Sequence, residues 1–165
     1  MTMIIAATGH RPVKFGGYSE EVYNDLVTLA KSYLSEVRPE RVITGMALGW
    51  DQAWALAAIE EAIPVVAAIP FVGQEAMWQT FQKARYFELL KYCDDVEYIC
   101  DPGYKPWKMQ VRNEWMVDKS DHVCALWNGS DGGTANCVRY AESKAKTITN
   151  LWPHWERFRN SKAVA

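Results

Sequence analysis

Three glycine-bearing stretches and one helical segment carry the residues best suited to chemistry. Thr8-Gly9-His10-Arg11-Pro12 combines backbone N–H groups with a hydroxyl, an imidazole and a guanidinium. Thr44-Gly45-Met46-Ala47-Leu48-Gly49-Trp50-Asp51 brackets a turn between two glycines and ends in an aromatic ring and a carboxylate. Trp127-Asn128-Gly129-Ser130-Asp131-Gly132-Gly133-Thr134 lies between an apolar run, 122–126, and a helical pattern over 135–146. Glycine lets the backbone turn with positive φ and approach a ligand closely. The first turn of a following helix adds unpaired N–H groups and about half a positive charge. Phosphate is the common biological anion that suits such a place. A single turn of this kind reads first as a tight connection capped by Thr134; three in one chain argue for a ligand.

Each side chain has a binding role and a plainer one. Arg11 could fork onto a phosphate, a charge-assisted contact of about 1.5–3 kcal/mol when desolvated. Otherwise it forms a surface ion pair worth less than about 1 kcal/mol. His10 is either a structural hydrogen-bonding group or a catalyst. Asp51 caps the helix that follows it or binds a ribose hydroxyl, and the two roles can coexist. Trp50 and Trp127 could stack on a base, at about 1–3 kcal/mol per base, or pack in the interior. Arg112 and Asn113 would line a cleft if the sheet reverses beside the first strand, whereas Glu114 and Asp118 share a solvated face. Asp131 opposes a phosphate by charge. It could instead accept from ribose hydroxyls, hold a Mg2+ ion that bridges phosphates, or fix the turn.

Asp51, Asp131, Glu114 and Arg112 are the candidate catalytic groups, yet no nucleophile–base–acid series can be assembled from them. There is no P-loop Lys-Ser/Thr, no nucleophile elbow and no GxGxxG in the first loop, which disfavours ordinary NAD-dependent redox. The four cysteines form no CxxC pair and have no partnered histidines, so reduced thiols are expected and no resident metal.

The elements that must position these residues alternate. Strands are expected over 3–8, 41–44, 65–69, 95–100, 122–126 and 147–151. Between them, Ser19 can cap a helix whose apolar positions Val22, Leu26, Leu29, Tyr33 and Val37 recur at spacings of 4, 3, 4 and 4, and Pro39 stops it. The helix over 51–62 is apolar nearly all round and should be covered on several sides. Further helices are expected over 74–91, with Met77, Phe81, Ala84, Phe87 and Leu90 as its inner stripe, over 107–119 and over 135–146. The pattern is that of a single-domain, Rossmann-like, doubly wound α/β fold with a mainly parallel sheet of about six strands. Ligands of such sheets sit beyond the carboxyl ends of the strands, where the strand order reverses. The domain is expected over 1–151, and 152–165 reads as an aromatic tail, docked or at an interface.

At 165 residues the chain suits one domain, large enough to bury about 70% of its unfolded surface. A net charge of −2 provides no polybasic footprint, which disfavours sequence-independent nucleic-acid binding. No apolar run approaches the length of a bilayer span. Met1-Thr2-Met3-Ile4-Ile5 has neither a charged region nor a cleavage site, so a cytoplasmic location is expected.

The three stretches, together with Pro70-Phe71, Gln74-Glu75, Trp78, Arg112-Asn113, Trp115-Met116 and Lys119-Ser120-Asp121, come in the order seen in the SLOG superfamily, and most resemble its YpsA-like group. That superfamily includes the DprA/Smf proteins and the LOG-type nucleotide phosphoribohydrolases. The resemblance covers residues from about 3 to about 150 and implies a Rossmann-like fold, a nucleotide or nucleotide-derived ligand, and self-association as a dimer or higher oligomer. LOG-type enzymes carry an Arg-Lys…Met helix motif and a glycine-rich loop followed by a glutamate. Arg112 and Met116 resemble the first motif, with Asn113 where lysine is usual. Beyond Gly133-Thr134 stand Ala135, Asn136 and Cys137, so the carboxylate that supports N-glycosidic cleavage is missing. The resulting expectation is a binding protein for a nucleotide-derived small molecule, acting as a sensor, sequestering or regulatory protein. A LOG-like hydrolase is the alternative, and a DprA-like single-strand DNA binder stands third.

Overall fold

The computed structural model describes residues 3–163. Met1 and Thr2 of the N-terminal stretch, and Val164 and Ala165 of the tail, lie outside the described residues. The chain alternates strictly: β1 (Ile4–Gly9), α1 (Glu20–Val37), β2 (Arg41–Thr44), α2 (Trp50–Glu60), β3 (Val65–Ile69), α3 (Thr80–Lys91), β4 (Asp95–Tyr98), α4 (Pro106–Asp118), β5 (His122–Leu126), α5 (Gly133–Ser143), β6 (Thr147–Asn150) and α6 (Trp152–Ala163). A short 3-10 turn, Pro12–Phe15, follows β1. The six strands form one sheet in the order β4-β3-β2-β1-β5-β6, and every neighbouring pair is parallel. The order reverses between β1 and β5, where Thr8 lies opposite Ala125 and Gly9 opposite Leu126.

Local chemistry accounts for most of this. Ser19 Oγ accepts the Val22 N–H at 3.2 Å and opens α1, and Arg38, left-handed at φ 49°, closes it just before Pro39. Val22, Leu26, Leu29 and Leu34 supply its buried face. The alanines of α2 bring it close against α1 and the sheet, and Trp50 and Trp54 fill the remaining volume. β3 is buried along its whole length, as a central strand covered on both faces must be.

The expected helix over 74–91 is shorter and phased differently. α3 starts only at Thr80, where the Gln79 side chain and that of Gln82 close a reciprocal capping box. The preceding residues form turns around Gly73, at φ +99°. Met77 therefore lies off the helix and is 95% exposed, and Phe81 and Phe87 also face outward. The buried contacts of α3 come from Tyr86 and Leu89. Aromatic residues at helical spacing define a stripe, but the turn that starts the helix sets which stripe faces inward.

The aromatic tail is the helix α6, and its Trp155 is buried in the main core beside Phe15. Among the described residues no helix is long and apolar enough to cross a membrane. Cys124 and Cys137 are buried, Cys93 and Cys100 half-buried, and all four are free thiols.

Candidate functional site

The reversal between β1 and β5 leaves a crevice beyond their carboxyl ends, a cavity of about 370 Å³. One wall comes from β1 and its continuation through Thr8, Gly9, His10 and Arg11. Asp131, Gly132, Gly133 and Thr134 supply the opposite wall. The face of α4 that carries Met109, Arg112, Asn113 and Met116 lines a third side, and Ala47 and Asp51 complete the enclosure.

The α5 wall leaves backbone donors open to the cavity. Gly132 is the N-cap of α5, and no side chain caps the helix. The first return bond runs from the Asn136 N–H to the Gly132 carbonyl at 3.0 Å. The N–H groups of the first turn are thus the orphan donors of an open helix start. A Cβ added at Gly132 or Gly133 would meet no atom within 4 Å, so a ligand can approach the backbone there. Thr134 is a buried helical residue on the cavity wall rather than the cap.

The α4 side holds a buried arginine, with the buried carboxyl of Asp51 close enough to feel its charge. Arg112 is 4% exposed. Its Nη1 donates to the carbonyls of Gly45 at 2.6 Å and Ala68 at 3.2 Å, and its Nε to Asn113 Oδ1 at 2.9 Å. Burial pushes the guanidinium below its ordinary range, and Asp51 acts against that shift. The Asp51 carboxyl is pushed up, chiefly by burial; Arg112 and then the Ala47 N–H, 3.3 Å from Oδ2, hold it back. Asp51 is not the cap of α2, a position taken by Gly49. Its carboxylate instead ties down the preceding turn and borders the cavity.

His10 joins the two loops. Its Nε2 lies 2.9 Å from Asn128 Oδ1 and 3.1 Å from the Asn128 backbone N–H. Burial lowers its affinity for a proton, the Asn128 side chain opposes this, and Lys14 adds to it. Arg11 is exposed at the rim, and Asp131, also exposed, pairs with Arg139 at 2.9 Å.

Several expected residues lie elsewhere. Trp50 is 0% exposed, packs 5.8 Å from Trp54, and presents no face to a base. Gly9 explains its position: a Cβ there would stand 2.5 Å from the indole Cδ1 of Trp50, so the missing side chain makes room for the ring. Trp127 is half-buried, donates its Nε1–H to the Ser130 carbonyl at 2.8 Å, and does not line the cavity. Gly45 and Gly49 lie behind the wall, against Arg112 and His10 respectively. Glu114 accepts from Gln110 at 3.1 Å, away from the cavity. Conversely, Lys14, Val13 and Met109 line the cavity without having been singled out. Met109 was within reach of a pattern argument, since residues three, four and seven positions apart share a helix face with Arg112, Asn113 and Met116. Lys14 and Val13 sit on the irregular turn after β1 and left no such signal. Among the described residues, no group of three or more His, Cys, Asp or Glu stands together as a metal site.

The strand order and the crevice at its reversal define a Rossmann-like α/β domain. The sequence model of the YspA SLOG family (YpsA) matches residues 5–152, and the chain belongs to that family. It is 33% identical over 143 residues to an uncharacterized SPbeta prophage-derived protein, YoqJ, of Bacillus subtilis, covering 77% of this chain and 83% of that one. DNA processing protein A from Streptococcus pneumoniae has a similar structure, with a TM-score of 0.65 and 17% identity over 89% of this chain. This chain spans only 49% of that protein. The molybdenum cofactor binding protein from Rippkaea orientalis matches with a TM-score of 0.58 and 16% identity, over 97% of this chain and 84% of that one. At these identities the structural likeness shows the fold.

Proposed function

We propose that the protein binds a nucleotide or nucleotide-derived small molecule in the β1/β5 crevice, as a sensor, sequestering or regulatory protein. One observation carries the reading: the uncapped, glycine-started N-terminus of α5 opens into the same cavity as Arg11, Arg112 and Asp51. A cavity of about 370 Å³ falls in the range of small-molecule sites and suits one mononucleotide-sized ligand. In this reading the phosphate meets the amides of Gly132 to Thr134 with Arg11, and Arg112 offsets the charge from behind. The Asp51 carboxyl meets a ribose hydroxyl, and Met109 and Val13 offer apolar surface to a base in place of Trp50. A Mg2+ ion carried by the ligand would find Asp131 at the rim. Self-association as a dimer or higher oligomer belongs to the same proposal.

A second reading is N-glycosidic hydrolysis. The observation that favours it is Asp51, a cavity-lining carboxyl raised by burial and so fit to hold a proton as a general acid. It would have to replace the carboxylate missing where Ala135, Asn136 and Cys137 follow Thr134. Single-strand DNA is the third ligand class, since one structural neighbour is named a DNA processing protein; the net charge of −2 argues against it.

Incubating the purified protein with a mixed nucleotide panel, then analysing retained and free fractions by mass spectrometry, separates the readings. A nucleotide retained intact supports the binding protein. Consumption with release of free base and ribose phosphate replaces that reading with the hydrolase. Neither outcome, combined with a gel shift of single-stranded DNA that fades as salt is raised, replaces both.

A further inference from the structure

The family match ends at residue 152, so nearly all of α6 lies beyond the matched segment, yet the start of α6 and Asn150 at the end of β6 contact the two loops that border the crevice. Its far end is tied to α1. Asp25, only 5% exposed, accepts from Lys162 Nζ at 2.8 and 3.0 Å and from Arg159 Nη1. Its middle is packed: Trp155 stands edge-on to Phe15 with ring centroids 5.5 Å apart. Its start touches both crevice loops. The Trp152 ring is edge-on to His10 at 6.0 Å and tilted over Phe15 at 6.0 Å. Asn150, just before the helix, accepts the N–H groups of Trp127 and Trp152 at 3.1 Å each and donates to the Trp127 carbonyl at 2.9 Å. Neither Trp152 nor Asn150 lines the cavity.

We propose that α6 is a positioning element of the crevice, in which Trp152 against His10 and Asn150 against Trp127 set the spacing of the two loops and the Asp25 pairs lock the helix in place. The functional half of this rests on the crevice being the ligand site; the structural half does not. The chemistry at the junction is specific. A neutral His10 protonated at Nδ1 accepts the Asn128 N–H at Nε2, whereas a protonated ring can only donate, to Asn128 Oδ1. Phe15 and Trp152 cover the side of the ring away from the crevice, and this burial favours the neutral form, as does the nearby positive charge of Lys14. Loss of the Trp152 ring therefore admits water to His10, raises its proton affinity and loosens its hold on the loop before α5.

The test is an NMR titration of the His10 imidazole with the amide signals of Asn128 and Ser130, in the full chain and in Trp152→Ala, Trp152→Phe and Asp25→Asn. In Trp152→Ala the His10 midpoint moves up toward that of a free histidine and the two amides shift, and Trp152→Phe restores both. Asp25→Asn moves the same signals in the same direction by less, although it lies on α1, away from His10. A calorimetric titration with adenosine 5′-monophosphate shows an affinity lower by about tenfold in Trp152→Ala, because the loops are no longer preorganised. Unchanged His10 and Asn128 signals in folded Trp152→Ala overturn the proposal. If that variant does not fold, unchanged signals in Asp25→Asn overturn it instead. Wild-type protein that binds no nucleotide removes the proposed function and leaves the NMR comparison decisive for α6.

Discussion

The loop after β2 and the loop before α5 share a composition, glycines leading into a helix, but the first faces protein and the second faces open space. A Cβ on Gly45 would lie 2.4 Å from Arg112 Nη1, and one on Gly49 would lie 2.6 Å from the His10 carbonyl oxygen. Several donors of that loop are already taken: the Trp50 N–H by the His10 carbonyl at 3.4 Å, the Ala47 N–H by Asp51 and the Met46 N–H by Thr44 Oγ1 at 3.3 Å. Before α5, Gly132 and Gly133 have no neighbour in reach of a Cβ and the helix has no side-chain cap. In the first loop glycine permits protein to pack on protein; in the second it leaves amides unpartnered. An open helix start of this kind is where an anion would be held under the proposed function.

The largest test of this contrast is Arg112→Ala. It removes the positive charge beside the buried Asp51 carboxyl and the side-chain donor to the Ala68 carbonyl, and leaves Gly45 only the Gln74 amide at 3.3 Å, at a cost of about 3–5 kcal/mol, read as a lower denaturant midpoint. The loss has a pH signature. The folded-state pKa of Asp51 is raised, so the stability of its protonated form is present at low pH and lost as pH rises through the folded value. Arg112→Ala raises that value further, so the gap to wild type widens once pH rises past the wild-type folded value. Adding Asp51→Asn abolishes the widening; a gap independent of pH would mean that the two groups are not coupled.

Gly45→Ala comes next, with about 1–3 kcal/mol lost to overpacking against the guanidinium. Thermal unfolding unchanged from wild type would show that the first loop has room after all. For Arg11→Ala the expected effect is on binding alone: about tenfold or more in nucleotide affinity, from a contact of about 1.5–3 kcal/mol, at unchanged stability because Arg11 is exposed. Equal affinity by calorimetry would remove the anion role from that wall. The smallest effect is Gly133→Ala, where the new methyl group meets open space at a helical residue. Stability should rise by about 0.4–1 kcal/mol while nucleotide affinity falls; a destabilised variant would show that this loop, too, is packed.

Much of the fold was legible because it rests on local chemistry. The Ser19 cap, the break at Pro39 and the uninterrupted apolar run of β3 are readable one residue at a time. Alternation of strands and helices then leaves few sheet orders, and the pairing of β1 with β5 is what selects the reversal beside β1. Of the site residues, Thr8 to Arg11 and Gly132 to Thr134 share a cavity because they follow strands that pair in the middle of the sheet. Trp50 was not legible. An indole beside a glycine-rich turn reads as a stacking platform until the contact with Gly9 shows where the ring goes. The inner face of α3 was hidden for the same reason, since its phase depends on a turn at Gly73 and a cap at Gln79. Asp25 gave no sign of its role, because its partners Arg159 and Lys162 stand more than a hundred residues away.

From the sequence by itself came the six strands and the first five helices in their order, the parallel sheet, and the edge on which the glycine-bearing loops lie, since periodicity, caps and breakers act within a few residues. The tertiary structure alone decided which glycines are filled by protein and which stay open, that Arg112 is held by backbone carbonyls, and that α6 closes over His10. Those outcomes depend on which atoms from distant segments occupy the same space, and residue types along one chain do not specify that.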